Sequence, residues 1–172
     1  MFLNFLKNFI LKRKLKNSLK NVIDIASDNK IKTIAILVDE SSFDCKNELK
    51  TAIIHYGIHE NDIAFITFKD KINKKEVFKT TTFCLKDIDW NTNFTNLEVQ
   101  FFLNQKFDLF ISYYDVEKPA LMRFTQKTNA NFKVGFSTID KRLNHFMIHT
   151  NLENHKVFID EMFKYLRILN KI

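Results

Sequence analysis

IKTIAILV, residues 31–38, is an apolar run rich in β-branched side chains and without strict polar alternation. A strand wetted on one face alternates in polarity, whereas a strand covered on both faces, as in a parallel sheet, does not. Asp39-Glu40-Ser41-Ser42 ends the run, and a helical pattern follows from about Phe43 to Tyr56. Ser41 or Ser42 suits the N-cap of that helix, and Gly57 suits a left-handed C-cap. DIAFITFK (62–69) then repeats the character of the first run. Strand, helix and strand in this order are the unit of a parallel α/β sheet.

The pattern continues along the chain. FDLFISYY (107–114) and FKVGF (132–136) are the third and fourth clear strands, and HFMIH (145–149) is a candidate short fifth. Between 70 and 96 only TTTF reads as extended, an edge segment at most. Helices are expected over about 97–104, over 117–128 with Pro119 in the first turn, and over 153–170, where Phe158, Met162, Tyr165, Leu166 and Leu169 form an apolar stripe. The expected fold is α/β: a single Rossmann-like open parallel sheet of four or five strands flanked by helices. An extra amphipathic N-terminal helix (1–28) precedes the single α/β domain (29–172).

Composition narrows the function classes. At 172 residues the chain suits one domain, and 45% hydrophobic with 27% charged residues is the balance of a globular protein. The 19 Phe suffice for a sizeable core and leave enough over for an exposed apolar patch, so a homo-oligomer is a candidate assembly. Cys45 and Cys84 make neither a disulfide framework nor a C-x-x-C pair. Cys45 sits near a helix N-terminus, where a thiolate gains stability, but a buried structural thiol is favoured. With no secretory signal, a cytoplasmic setting is expected. His145 and His149 lie on a strand or loop and share no helical face, so no metal site and no cofactor is expected.

Net charge is +7, concentrated at one end. Lys7, Lys12, Arg13, Lys14, Lys16 and Lys20 give residues 1–20 a charge of +6, and the remaining 21 basic and 20 acidic residues (27 less 6, against 20) give +1. The globular part therefore lacks a concentrated phosphate-neutralising patch, and no nucleic-acid partner is expected. FLNFLKNFIL (2–11) is too short to span a bilayer. On a helical wheel Phe2, Phe5, Leu6, Phe9 and Ile10 share a face, Leu15, Leu19 and Val22 extend it loosely, and the basic residues mostly take the other side. Two readings fit: a helix lying on an anionic membrane or a protein partner, with Phe2, Phe5, Leu6, Phe9, Lys12, Arg13, Lys14 and Lys16 in contact, or a helix packed on its own domain.

In open parallel sheets ligands bind beyond the carboxyl ends of the strands. The residues there are Asp39, Ser41 and Ser42 after the first strand, Tyr114 and Asp115 after the third, and Ser137, Asp140, Lys141 and Arg142 after the fourth. Carboxylates, hydroxyls and a Lys/Arg pair suit a nucleotide, sugar or phosphate, although the same residue types cap helices without any ligand. Successive side chains on a strand point to opposite faces, so one of Tyr113 and Tyr114 is expected in the core and the other near the loop mouth. No Gly-rich phosphate loop follows any strand, and no G-x-S-x-G elbow occurs.

Phe107-Asp108-Leu109, Ile111, Tyr113 and Tyr114, then Lys133-Val134-Gly135-Phe136, then Asn144 and Met147-Ile148 resemble a family of small uncharacterised bacterial α/β proteins that carries a domain-of-unknown-function label. The resemblance extends to the basic N-terminal helix and to Lys164-Tyr165-Leu166. It implies size and an α/β fold and transfers no activity. The strand–helix–strand leading to Ala130 and Val134-Gly135 is also similar, at the level of fold, to the N-terminal domain of heptosyltransferase-type glycosyltransferases. The function expected is a non-enzymatic α/β interaction module, held to a partner or to the inner membrane surface by its basic helix. The alternative is a protein or enzyme that binds a small molecule at the strand ends.

Overall fold

The computed structural model describes residues 2–20, 30–73 and 76–172, with side chains from Phe5 onward in the first segment. Val22 and the boundary at 28/29 lie outside the described residues, as does the side chain of Phe2. Eleven elements follow in order: α1 (Phe2–Ser18), β1 (Ile34–Asp39), α2 (Lys46–His55), β2 (Ile63–Phe68), β3 (Thr81–Phe83), α3 (Leu97–Asn104), β4 (Lys106–Tyr113), α4 (Pro119–Lys127), β5 (Asn129–Phe136), β6 (Phe146–Ile148) and α5 (His155–Ile168). Two short 3-10 turns, Glu60–Asp62 and Leu85–Asp87, complete the list.

The strands form one all-parallel sheet in the order β3-β2-β1-β4-β5-β6. This is the order of doubly wound sheets, with the reversal between β1 and β4. All six residues of β1 are buried, which is why its sequence shows no alternation. Six strands exceed the expected four or five. TTTF is a true strand, pairing Ile66 with Thr81 and Phe68 with Phe83, and HFMIH supplies β6.

Side-chain direction divides the core into two layers. Phe110 on β4 faces α4, where Phe124 is surrounded by Phe83, Phe94, Phe102 and Phe110. Tyr113 faces the other way, onto Phe136 and onto Phe158 of α5. On that side Tyr56, at the end of α2, stacks on Phe163 of α5. Eleven phenylalanines are buried among the described residues, so most of the aromatic content is core.

Helix ends depart from the sequence reading at three helices: α4 runs Pro119–Lys127 rather than 117–128, α5 His155–Ile168 rather than 153–170, and α2 starts later than expected. α2 begins at Lys46 with Cys45 as its N-cap, and neither serine caps it: Ser42 Oγ donates to the Asp39 carboxylate, and Ser41 Oγ accepts from the Asp70 N–H. Gly57 ends the helix at φ +90°, the left-handed conformation expected of it. The stripe of α5 is Phe158, Ile159, Met162, Phe163 and Leu166, while Tyr165 and Leu169 are exposed.

α1 packs on α4 rather than directly on the sheet. Leu11, Leu15 and Leu19 are buried at i, i+4 and i+8, one row along the helix. Phe5, Leu6 and Phe9 are 70%, 38% and 59% exposed. The loose continuous stripe of the wheel is therefore two stripes on different sides of one helix. Among the described residues no helix is long and apolar enough to cross a membrane.

Candidate functional site

At the reversal between β1 and β4, the place where such sheets bind ligands, the protein is crossed by ion pairs. Asp39 is buried at the end of β1, and Lys118 Nζ reaches its Oδ2 at 2.8 Å and Asp70 Oδ2 at 3.1 Å. Ser42 Oγ donates to Asp39 Oδ2 at 2.9 Å, the Ser41 N–H donates to Oδ1 at 3.1 Å, and the Asp70 N–H donates to Ser41 Oγ at 2.6 Å. Beside this, Glu40 pairs with Lys46 at 2.5 Å and Lys69 at 2.9 Å, and Lys69 also pairs with Glu76. Burial raises the Glu40 carboxyl, but hydrogen bonds from Lys46 and Lys69 outweigh it and hold the group below its ordinary value. The polar atoms of Asp39, Ser41 and Ser42 are thus satisfied by the loops themselves.

The other expected residues go to separate places. Tyr114 is buried beneath α4 with its hydroxyl 2.9 Å from Thr125 Oγ1, and burial raises its phenol. Tyr113 donates to the Leu152 carbonyl at 2.6 Å and is equally buried, so the pair does take opposite faces, but neither tyrosine reaches a loop mouth. Asp115 accepts a hydrogen bond from Thr138 Oγ1 at 2.8 Å through its backbone carbonyl. Ser137 Oγ sits 3.0 Å from His149 Nδ1, and Lys141 is exposed. Cys45 is buried and its thiol is pushed up to about 12, mainly by burial, the opposite of an activated thiolate.

Asp140 and Arg142 do meet a surface cleft. Arg142 Nη2 lies 2.6 Å from Asp140 Oδ2, and its Nε lies 2.9 Å from Oδ1. That hydrogen-bonded pair holds the Asp140 carboxyl below its ordinary value. Arg142 Nη1 also reaches the Leu19 carbonyl at 3.5 Å, tying the loop after β5 to the end of α1. The cleft, of about 200 Å³, lies between α1 and the loops after β4 and β5, with Lys12, Lys16, Glu117, Asp140 and Arg142 around an apolar floor that includes Leu15 and Met122.

The outward side of α1 leads into this cleft. Residues seven apart on a helix are two turns apart on one face, about 10 Å along the axis. Phe5 and Lys12, Leu6 and Arg13, and Phe9 and Lys16 are three such pairs. Lys12, Arg13 and Lys16 are exposed, and no ion pair holds them among the described residues. Lys14 differs: its Nζ donates to the Trp90 carbonyl at 2.9 Å, bracing the helix against the domain. The basic residues therefore do not lie opposite the apolar ones. Lys12, Arg13 and Lys16 continue the rows that Phe5, Leu6 and Phe9 begin.

Sequence reasoning missed Lys118 and Glu117. Lys118 is the buried Asp39's counter-ion, yet 79 positions separate the two, and only the sheet order brings β1 and the start of α4 together.

The fold and cleft define a single-sheet, doubly wound α/β protein with a docked basic helix. The chain belongs to a family of unknown function, DUF6913, which it matches over residues 7–169. No curated protein and no solved structure matches it.

Proposed function

We propose that this protein is a non-enzymatic α/β module that binds the surface of an anionic membrane through α1. The observation that carries the reading is the two-sidedness of that helix. Leu11, Leu15 and Leu19 fix one side to α4, while the other presents Phe5, Leu6 and Phe9 to solvent beside unpaired Lys12, Arg13 and Lys16. Exposed aromatic side chains next to unpaired cations match a lipid surface, where acyl chains receive the rings and phosphates receive the charges. Each basic residue near an anionic leaflet contributes about 1 kcal/mol, and partly exposed Phe side chains add apolar burial. Because the helix is already folded on its domain, binding does not bear the cost of ordering it.

Sedimentation of the full chain with vesicles tests this. Vesicles containing phosphatidylglycerol should carry the protein down, neutral phosphatidylcholine vesicles should not, and raised salt should weaken binding. Trp90, beside Lys14 and 48% exposed, is the single tryptophan, and its emission offers a second signal on the same sample. Equal sedimentation with neutral vesicles, or none with anionic ones, rejects the reading.

A further inference from the structure

The cleft beside α1 carries charges that its own neighbours leave uncompensated. Arg142 and Asp140 satisfy one another. Lys12 and Lys16 have no ionic partner among the described residues; Glu117 accepts the Asp140 N–H at 3.0 Å and acts on Arg142 through its charge, but it forms no salt bridge. Two unpaired cations and one carboxylate without a salt bridge therefore share the cleft with the apolar Leu15 and Met122. A plain phosphate would gain from the lysines and be opposed by Glu117. A ligand carrying both a phosphate and a primary ammonium turns that opposition into an attraction.

Resting on the membrane reading above, we propose that this cleft takes the headgroup of an aminophospholipid, with the phosphate on Lys12 and Lys16 and the ammonium on Glu117. Lys12 and Lys16 stand one turn apart, which puts their Cβ atoms about 5–6 Å from each other, a spacing that lets both ammonium groups reach one phosphate. The apolar floor keeps water from one side of the ligand and strengthens these contacts. Phe5 and Phe9 lie two turns N-terminal of Lys12 and Lys16 on the same rows, where the acyl chains of a lipid so held would run.

The test compares vesicles with one fixed fraction of phosphatidylglycerol, the remainder being phosphatidylcholine or phosphatidylethanolamine. Choline keeps the positive charge but has no N–H to donate. The full chain should bind the phosphatidylethanolamine vesicles roughly fivefold more tightly, the size of one net hydrogen bond to the carboxylate, since the positive charge is common to both headgroups. Glu117→Gln should erase that ratio while retaining binding to both vesicles, which separates headgroup recognition from a general effect of the lipid on bilayer packing. Lys12→Gln should lower binding and shrink the ratio. Arg13→Gln, which removes the same charge outside the cleft, should lower binding to both vesicles by roughly fivefold and leave the ratio intact. Equal binding to the two vesicles, or a ratio that survives Glu117→Gln, overturns the headgroup assignment and leaves the membrane reading standing. Absence of binding to either vesicle overturns both.

Discussion

Gly135 on β5 is required by a close approach rather than by its backbone angle. A Cβ there would lie 2.3 Å from Ser112 Oγ and 2.5 Å from Asn144 Nδ2, inside the buried pair in which Ser112 donates to Asn144 Oδ1 at 2.9 Å. Gly135→Ala should therefore lower unfolding free energy by about 1–3 kcal/mol in urea titration, the scale of core overpacking; wild-type stability would contradict the geometry. Two positions earlier, Lys133 is buried, and its Nζ donates at 2.6 Å to the Thr125 carbonyl in the last turn of α4. That carbonyl lacks an intrahelical partner, so the lysine serves the helix end at the cost of a buried charge. Burial brings its pKa down from 10.5 to about 8. Between these values the unfolded chain binds more protons than the folded one, so stability rises with pH. The buried Cys45 and Cys84, and at higher pH Tyr113 and Tyr114, oppose this rise, because their raised pKa values keep them protonated in the fold while the unfolded chain loses thiol protons from about pH 8.5. The Lys133 share is read as a difference: from pH 8 to 9 the unfolding free energy of the wild type should gain roughly 1 kcal/mol relative to Lys133→Met. A slope unchanged in the variant would locate the titrating group elsewhere.

At the scale of elements, α1 is part of the core on one side and solvent-facing on the other. Leu15, 2% exposed against α4, should cost about 2–4 kcal/mol when replaced by Ala, and the loss should appear in the single global transition. A separate early melting of α1, with the domain unchanged, would show that the helix is only appended. The sequence displayed the strong elements well: the apolar runs of β1, β2, β4 and β5 and the capped α3 are local signals, with Asn96 accepting from the Glu98 and Val99 N–H groups. β3 was legible only as an extended edge, because three residues carry little periodicity and its partner Ile66 lies 15 positions away. The wheel of α1 showed apolar residues but not which of them would find α4, a choice made by tertiary packing. The candidate site was less legible still. Asp39, Ser41 and Ser42 have the composition of a ligand loop, yet Lys118, remote in sequence, occupies the carboxylate. Asp140 and Arg142 reached a cleft only because α1 folds over them.

For the whole molecule, the sheet and its two helical layers act as a mount that holds one face of α1 outward. Leu11, Leu15 and Leu19 also make deletion of residues 1–20 a poor probe of that face, since it would strip part of the core together with the surface in question. Point substitutions on the exposed row avoid this. The central claim is that Phe5 and Phe9 enter an anionic lipid surface, and the most direct measurement is the vesicle partition coefficient of the full chain beside Phe5→Ser/Phe9→Ser, with both melting temperatures recorded. The account predicts that the wild type partitions onto phosphatidylglycerol vesicles and that the double variant, equally stable, does so roughly thirtyfold less well, equivalent to about 2 kcal/mol of lost apolar burial. A wild type that stays in solution, or a variant that partitions as well as the wild type, would contradict it.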